Sequence, residues 1–374
     1  MIKKIVRSCH VCFRYKQRNA EQLMAELPAN RVTPNRAFTN VMVDYGGYFQ
    51  IKTSTLRKAS LVKCYMAVFV CTVTKAVHLE LVSDLSTEAY IMALKHFVSR
   101  RGLPKSILSD NGTCFWGCRN KYKELKTFFQ KSEVKAEIKN YCLNNFIEFK
   151  FLTPQAPHQG GLHEAGVKRA KYHIYRMLGD TKLTFEQFYT VLTQIEAVMN
   201  SRPLTPISND ANDLSSLTPG HFLIGECLVN LPERDILNVN ENRLSVYEKL
   251  NRIQQTFWKR WSLDYLSELQ ARNKWYLERD NLKLNDLVLL KDDNLPPMKW
   301  KLARVIKLHP GSDGKVRNVE VRTSTGIYTR PITKLCILPL EKEMLAFEKE
   351  SLVNMTKIVD LKGKCNINLE KVTA

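Results

Sequence analysis

Three acidic residues, Asp44, Asp110 and Glu164, stand where chemistry could be done. Asp44 is expected to close a first strand, Asp110 to close the strand after a first helix, and Glu164 to open a helix behind a loop. Side chains at the ends of adjacent strands can converge on one crevice outside the sheet edge. Three carboxylates crowded together repel, so such a site calls for a cation, and oxygen donors suit hard divalent ions. Each acid also has a plain reading. Asp110 before Asn111-Gly112 is equally a turn former, and Glu164 in a first helical turn equally complements the helix dipole. Asp44 beside Tyr45-Gly46-Gly47 is equally a turn residue. Spacing alone leaves both readings open.

Lys168 and Lys171 follow Glu164 by four and seven residues, which on a helix puts all three on one face. That face is expected to meet phosphates beside the acids, with a solvated basic face as the plain alternative. Cys9 and Cys12 have the C-x2-C spacing that supplies half of a zinc site. Cys114 and Cys118 read as ordinary thiols.

The charge balance agrees with a polyanionic partner. Lys and Arg total 57 against 37 Asp and Glu, a formal net charge of +20, and a field of that size attracts nucleic acid. No run reaches the ~18 apolar residues of a spanning helix. The start, Met1 to Arg7, lacks the apolar core of a secretory leader, so no membrane and no secretion are expected. Scattered cysteines without secretory context read as reduced.

The elements that must position the acids follow from periodicity. Residues 37–45, 63–74 and 75–82 read as a three-strand antiparallel meander, with Tyr45-Gly46-Gly47 as a turn. Ser86 and Thr87 are candidate caps for a helix running to Gly102. Residues 104–109 form a short strand, 121–144 a charged helix, 146–152 another strand, and 154–161 a loop. Helices follow at 162–178 and 185–200, and a third at 247–276 carries Trp258 and Trp261, read as packing residues, as is Trp300. Residues 286–290, 303–307, 316–323 and 328–335 are short strands separated by Gly turns, the pattern of a small barrel. The fold class is therefore α/β, a mixed sheet with flanking helices, plus a small β-barrel.

Three stretches give these residues a family context. Val41-Met42-Val43-Asp44-Tyr45-Gly46-Gly47, Ile107-Leu108-Ser109-Asp110-Asn111-Gly112-Thr113 and Ala156-Pro157-His158-Gln159-Gly160-Gly161-Leu162-His163-Glu164 closely resemble the three acidic blocks of retroviral-type integrases. Further runs resemble the BEL/Pao class of LTR retrotransposons: Asn200-Ser201-Arg202-Pro203-Leu204, Leu217-Thr218-Pro219-Gly220-His221-Phe222-Leu223-Ile224-Gly225, and Met298-Lys299-Trp300-Lys301-Leu302-Ala303-Arg304-Val305. The resemblance implies an RNase H-like five-stranded core whose acidic triad maps onto Asp44, Asp110 and Glu164 and holds two Mg2+ or Mn2+ ions. It implies DNA contacts at Lys168 and Lys171, and Asn111, beside Asp110, is expected to contact the same substrate. It also implies an SH3-like DNA-binding barrel with basic residues including Lys299 and Arg304. Cys9 and Cys12 resemble the second half of a His-His-Cys-Cys module, so Zn2+ is expected only if two histidines precede Met1. Two departures stand out: the spacing from Asp110 to Glu164 is longer than in retroviruses, and position 163 is His where relatives commonly carry Trp.

The organisation implied is a partial zinc module and linker at 1–35, a catalytic core at 36–200 and an irregular and helical connector at 201–279. The barrel then spans 280–340, before a charged tail at 341–374. The activity implied is 3′-end processing and strand transfer on element ends and target DNA, by a homo-oligomer acting in the nucleus and made in the cytoplasm. Two rivals remain: a catalytically silent or host-adopted DNA-binding remnant, and another RNase H-like enzyme.

Overall fold

The computed structural model describes residues 29–56, 58–131, 145–152, 171–178, 181–208, 210, 212–270, 281–292, 295–311 and 314–338. The chain divides into two compact units, Met1–Pro34 and Asn35–Ala374. Of the first, residues 29–34 are described and contain one helical turn, Ala29–Val32. Cys9, Cys12, the 154–161 loop, Glu164, Lys168 and the 341–374 tail lie outside the described residues. The three sheets of the described residues and the longer helices belong to the second unit.

The main sheet of that unit has five strands in the order β3-β2-β1-β4-β5. β1 (Asn40–Lys52), β2 (Leu61–Cys71) and β3 (Val77–Val82) form the expected antiparallel meander. β4 (Ser106–Ser109) and β5 (Glu148–Phe151) join in parallel on the far side of β1. The stretch Met66 to Cys71 is continuously apolar because both of its faces are covered. Alternation along it assigns the faces: Ala67, Phe69 and Cys71 enter one core cluster, Met66, Val68 and Val70 the other.

Helices complete both layers. α1 (Thr87–Arg101) and α2 (Thr113–Lys131) contribute Tyr90, Leu94, Phe97 and Phe115 to the first cluster. The second is closed by α3 (Phe185–Asn200), α4 (Val246–Leu269) and helical residues 171–178, through Phe188, Ile195, Phe257, Trp258, Trp261 and Ile174. The helix starts are written locally. Ser86 accepts from the Ala89 amide, and Thr184 with Gln187 and Ser245 with Glu248 form capping boxes. Each such cap is worth about 1 kcal/mol. Trp258 and Trp261 pack as expected, each within about 6 Å of the Trp300 ring edge-on.

Two expectations need correction. β1 does not end at Asp44: it runs to Lys52, staying paired with β2 through Gly46-Gly47 and absorbing the irregularity as a register shift between Gly47 and Phe49. The glycines make a bulge in a strand, not a turn between strands, and Gly47 takes φ 131°, a value that favours glycine. The helix expected at 121–144 begins earlier, at Thr113, directly behind Asp110-Asn111-Gly112.

Two short strands, β6 (Thr205–Pro206) and β7 (Ser216–Leu217), pair antiparallel, and the C-terminal region is a five-stranded antiparallel sheet ordered β11-β10-β9-β8-β12. Its strands are β8 (Leu287–Leu290), β9 (Leu302–Pro310), β10 (Val316–Thr323), β11 (Gly326–Pro331) and β12 (Leu335–Ile337). The stretch expected as one strand at 328–335 is split by a 3-10 turn, Ile332–Lys334. Among the described residues β11 and β12 are the two edges, so the sheet is not closed into a full barrel.

Candidate active site

The parallel pairing of β1 with β4 sets the site. Val43 lies opposite Ser109, so Asp44 and Asp110 each follow directly on a paired residue, Asp44 within β1 and Asp110 just past the end of β4. Asp44 is held inside a long strand and is partly buried, whereas Asp110 leaves the end of β4 and is exposed. Asp44 Oδ1 accepts from the Tyr45 amide at 2.8 Å, and Asp110 Oδ1 from the Gly112 amide at 3.0 Å. Asn111 donates from Nδ2 to the Leu152 carbonyl at 2.9 Å, tying the turn after Asp110 to the end of β5.

An aromatic cluster beneath fixes the spacing of these elements. Tyr45 stacks on Phe115 at 5.4 Å, and Tyr90 meets Phe115 edge-on at 4.8 Å. β1, α1 and the start of α2 are thereby locked together one residue away from Asp44. Burial pushes the Tyr45 hydroxyl's pKa up, and its oxygen has no hydrogen-bond partner among the described residues. Gly112 lets the turn close, because a Cβ there would meet Phe115 Cδ2 at 3.1 Å and Asp110 Oδ1 at 3.2 Å. Sequence reasoning missed Tyr45 and Phe115. The signal available was their position, each within five residues of an acid.

Lys171 is aimed inward. Its Nζ pairs with Asp44 Oδ2 and donates to the Tyr45 carbonyl at 2.6 Å. The helix that carries it is pinned at three points: Ile174 is fully buried in the core, Tyr175 stacks on Phe49 at 4.6 Å, and His173 Nε2 meets Asp264 Oδ2 of α4 at 2.8 Å. Gly46 makes room for the lysine, since a Cβ there would meet Lys171 Cε at 3.2 Å and Cγ at 3.3 Å.

Asp44 and Asp110 supply carboxylate oxygens, donors of the kind that suit a hard divalent cation, while among the described residues no group of three or more His, Cys, Asp or Glu is placed to hold a metal ion. A cleft of about 470 Å³ lies further along β1, lined by Gly47, Phe49, Tyr175, Leu178 and Phe188 among others. Among the described residues no carboxylate lines it.

The remaining expected site residues divide. Lys299 is exposed. Arg304 is not a surface residue: it is 2% exposed, and its guanidinium donates to the carbonyls of Ser208, Asp213 and Asn285. Its expected DNA contact is therefore corrected to a structural one. Lys307, Lys315 and Arg317 on the same sheet are exposed. Cys114 and Cys118 are buried, and burial pushes the Cys118 thiol up to about 12, as befits packing rather than ligation.

Residues 245–338 match a family described as a family of unknown function (DUF5641). No curated protein sequence matches the chain. Among solved structures, the chain is similar to one from the cryoEM structure of the simian T-cell lymphotropic virus intasome in complex with PP2A regulatory subunit B56 gamma. The TM-score is 0.35 at 14% identity, covering 91% of each chain. It is also similar to the catalytic core domain of BIV integrase, with TM-score 0.31 and 15% identity, over 50% of this chain and 95% of that one.

Proposed function

We propose that this chain is a polynucleotidyl transferase of the retroviral-integrase kind, with Asp44, Asp110 and Glu164 as its acidic triad. The observation that supports the reading is the pairing of Val43 with Ser109, the residues directly before Asp44 and Asp110 in two of the three integrase-like blocks. Glu164 belongs to the triad by its resemblance to the third block, in which His163 departs from the common Trp.

The reaction is an in-line displacement at phosphorus. Water is the nucleophile when an element's 3′ end is trimmed. The exposed 3′-hydroxyl is the nucleophile when that end is joined to target DNA, and a 3′-hydroxyl of the cut target strand leaves. When bound, a pair of Mg2+ or Mn2+ ions would activate the entering oxygen and stabilise the leaving one. The chain's own part is positional. β1 holds Asp44, Asp110 follows the end of its partner strand β4, and Asn111 anchors the turn between Asp110 and α2 to the end of β5. Lys168 and Lys171 meet phosphates beside the acids. Lys299, Lys307, Lys315 and Arg317 give the C-terminal sheet, read as an SH3-like half of the DNA-binding surface, its attraction for the duplex.

The BEL/Pao wording of residues 200–225 and 298–305 makes the substrate the ends of an LTR element, handled by a homo-oligomer in the nucleus. A zinc ion on Cys9 and Cys12 belongs to this reading only with two further ligands from upstream sequence.

The test is strand transfer on element-end oligonucleotides in Mg2+ or Mn2+. The wild-type chain joins ends to target, and Asp44→Asn and Asp110→Asn each lose roughly three orders of magnitude or more, because the triad acts as a unit. An active Asp44→Asn protein rules out the triad. A folded wild-type chain that binds DNA but joins nothing favours the catalytically silent remnant.

A further inference from the structure

We infer that Lys171 is a resident counter-cation of the acidic site, which gives up Asp44 when a divalent ion binds and thereby links metal occupancy to the grip on DNA phosphate. The inference rests on the metal-dependent reading of the site and deepens it.

Three independent features build the seat. The Lys171 ammonium makes two contacts at once, to the Asp44 carboxylate and to the Tyr45 carbonyl at 2.6 Å. Its alkyl chain lies over Gly46, where any Cβ would press on Cγ and Cε. Its helix cannot swing freely, because Ile174, the Tyr175–Phe49 stack and the His173–Asp264 pair hold it against β1 and α4. Lys171 and Tyr175 lie one turn apart on one helix face, and Tyr175 stacks on Phe49 of β1 while staying partly open to solvent. The lysine side chain is 16% exposed and Asp44's is 26%, which keeps the pair from being a fully screened surface contact.

The chemistry follows from competition for one carboxylate. Carboxylates brought close together repel unless a cation lies between or beside them. In the arrangement observed, the Lys171 ammonium supplies that charge to Asp44. A divalent ion held by the same carboxylate brings a second positive charge next to the ammonium, so the two exclude one another. The flexible four-carbon stem lets the ammonium move a few ångströms without moving the helix. Its new partner is then an anion beside the acids, and in this protein that anion is a backbone phosphate. Metal binding and DNA binding become positively coupled through one side chain, and linkage requires the coupling to be reciprocal.

The test uses the full chain and measures binding, not turnover. Mn2+ affinity is read by titration calorimetry or by electron paramagnetic resonance, without DNA. DNA affinity is then read by anisotropy of a labelled duplex, with and without Ca2+. Lys171→Met and Lys171→Gln each raise Mn2+ affinity by about tenfold, within the range of ordinary coupling energies. In both, the gain in DNA affinity on adding Ca2+ shrinks relative to wild type. Lys171→Arg, which keeps the charge, stays near wild type in Mn2+ affinity. Equal or weaker Mn2+ binding in both neutral variants, with Asp44→Asn still abolishing it, overturns the inference and leaves the acidic site standing. Mn2+ binding that survives Asp44→Asn unchanged overturns the metal reading itself, and the inference with it.

Discussion

His78 Nδ1 lies 3.2 Å from a carboxylate oxygen of Glu196, joining β3 at the sheet's edge to α3 above it. The other ring nitrogen lies 3.1 Å from Glu80, and all three side chains are nearly sealed from solvent. Arg101 pairs with Glu196, Arg100 with Glu80, and His96 approaches Glu80 at 3.4 Å, so α1 closes the cluster. Burial by itself lowers the His78 pKa, but the hydrogen bonds to Glu196 and Glu80 outweigh it, and Arg101 opposes them only in part. The folded-state pKa is therefore raised. A cation between two carboxylates is the form both ring nitrogens can satisfy as donors.

A raised histidine pKa stabilises the fold fully below the unfolded value near 6.5, and that contribution is lost as pH climbs through the folded value. Glu196 has the opposite sign. Burial raises its pKa, but the His78 bond and Arg101 bring it below 4.5, so its contribution is lost as pH falls through the lowered value. Urea midpoints across pH are expected to fall on both sides of this window, with the alkaline limb missing in His78→Gln. Removing the ring outright in His78→Ala leaves two buried carboxylates short of a cation and costs about 3–5 kcal/mol. An alkaline limb unchanged in His78→Gln removes His78 from the account.

Arg304 gives the second prediction. Its guanidinium is buried and donates to three carbonyls, two of them in the connector at Ser208 and Asp213. Arg304→Ala strands those acceptors and is expected to cost about 3 kcal/mol or more, seen as a lower thermal midpoint. Lys307→Ala, at an exposed position on the same strand, leaves the midpoint nearly unchanged and flattens the salt dependence of DNA binding by close to one unit of slope. A stable Arg304→Ala protein that binds DNA poorly reverses the two roles.

How much of the fold and site was legible in the residues depended on whether a signal was local. Periodicity and caps are local, and the meander, α1 and α3 fall where the residues say they should. Gly46-Gly47 misled because two glycines suit a turn and a bulge equally, and only the pairing partner, β2, decides between them. The start of α2 hid behind Thr113-Cys114-Phe115-Trp116, residues of modest helix propensity whose place is fixed by packing on Tyr45 and Tyr90. Arg304 read as surface charge because its acceptors are backbone carbonyls, which no sequence displays. Lys171 stands out by its offset to Glu164, yet its partner Asp44 lies 127 residues away.

The Tyr45–Phe115 stack supplies the last prediction. Phe115 is 2% exposed and touches both Tyr45 and Tyr90, so Phe115→Ala opens a cavity between β1, α1 and α2. The stability loss expected is about 3–5 kcal/mol, the ordinary range for a buried phenylalanine. The same change loosens the turn that carries Asp110, because Gly112 closes against the Phe115 ring. Strand transfer, measured well below the variant's melting temperature, should therefore drop by more than tenfold with DNA affinity little altered. Tyr45→Phe separates packing from polarity. It keeps the ring and removes a buried hydroxyl with no partner among the described residues, so stability should hold or rise by up to about 1 kcal/mol, with transfer intact. A large loss of transfer in Tyr45→Phe at full stability would instead give that hydroxyl a direct part in the chemistry.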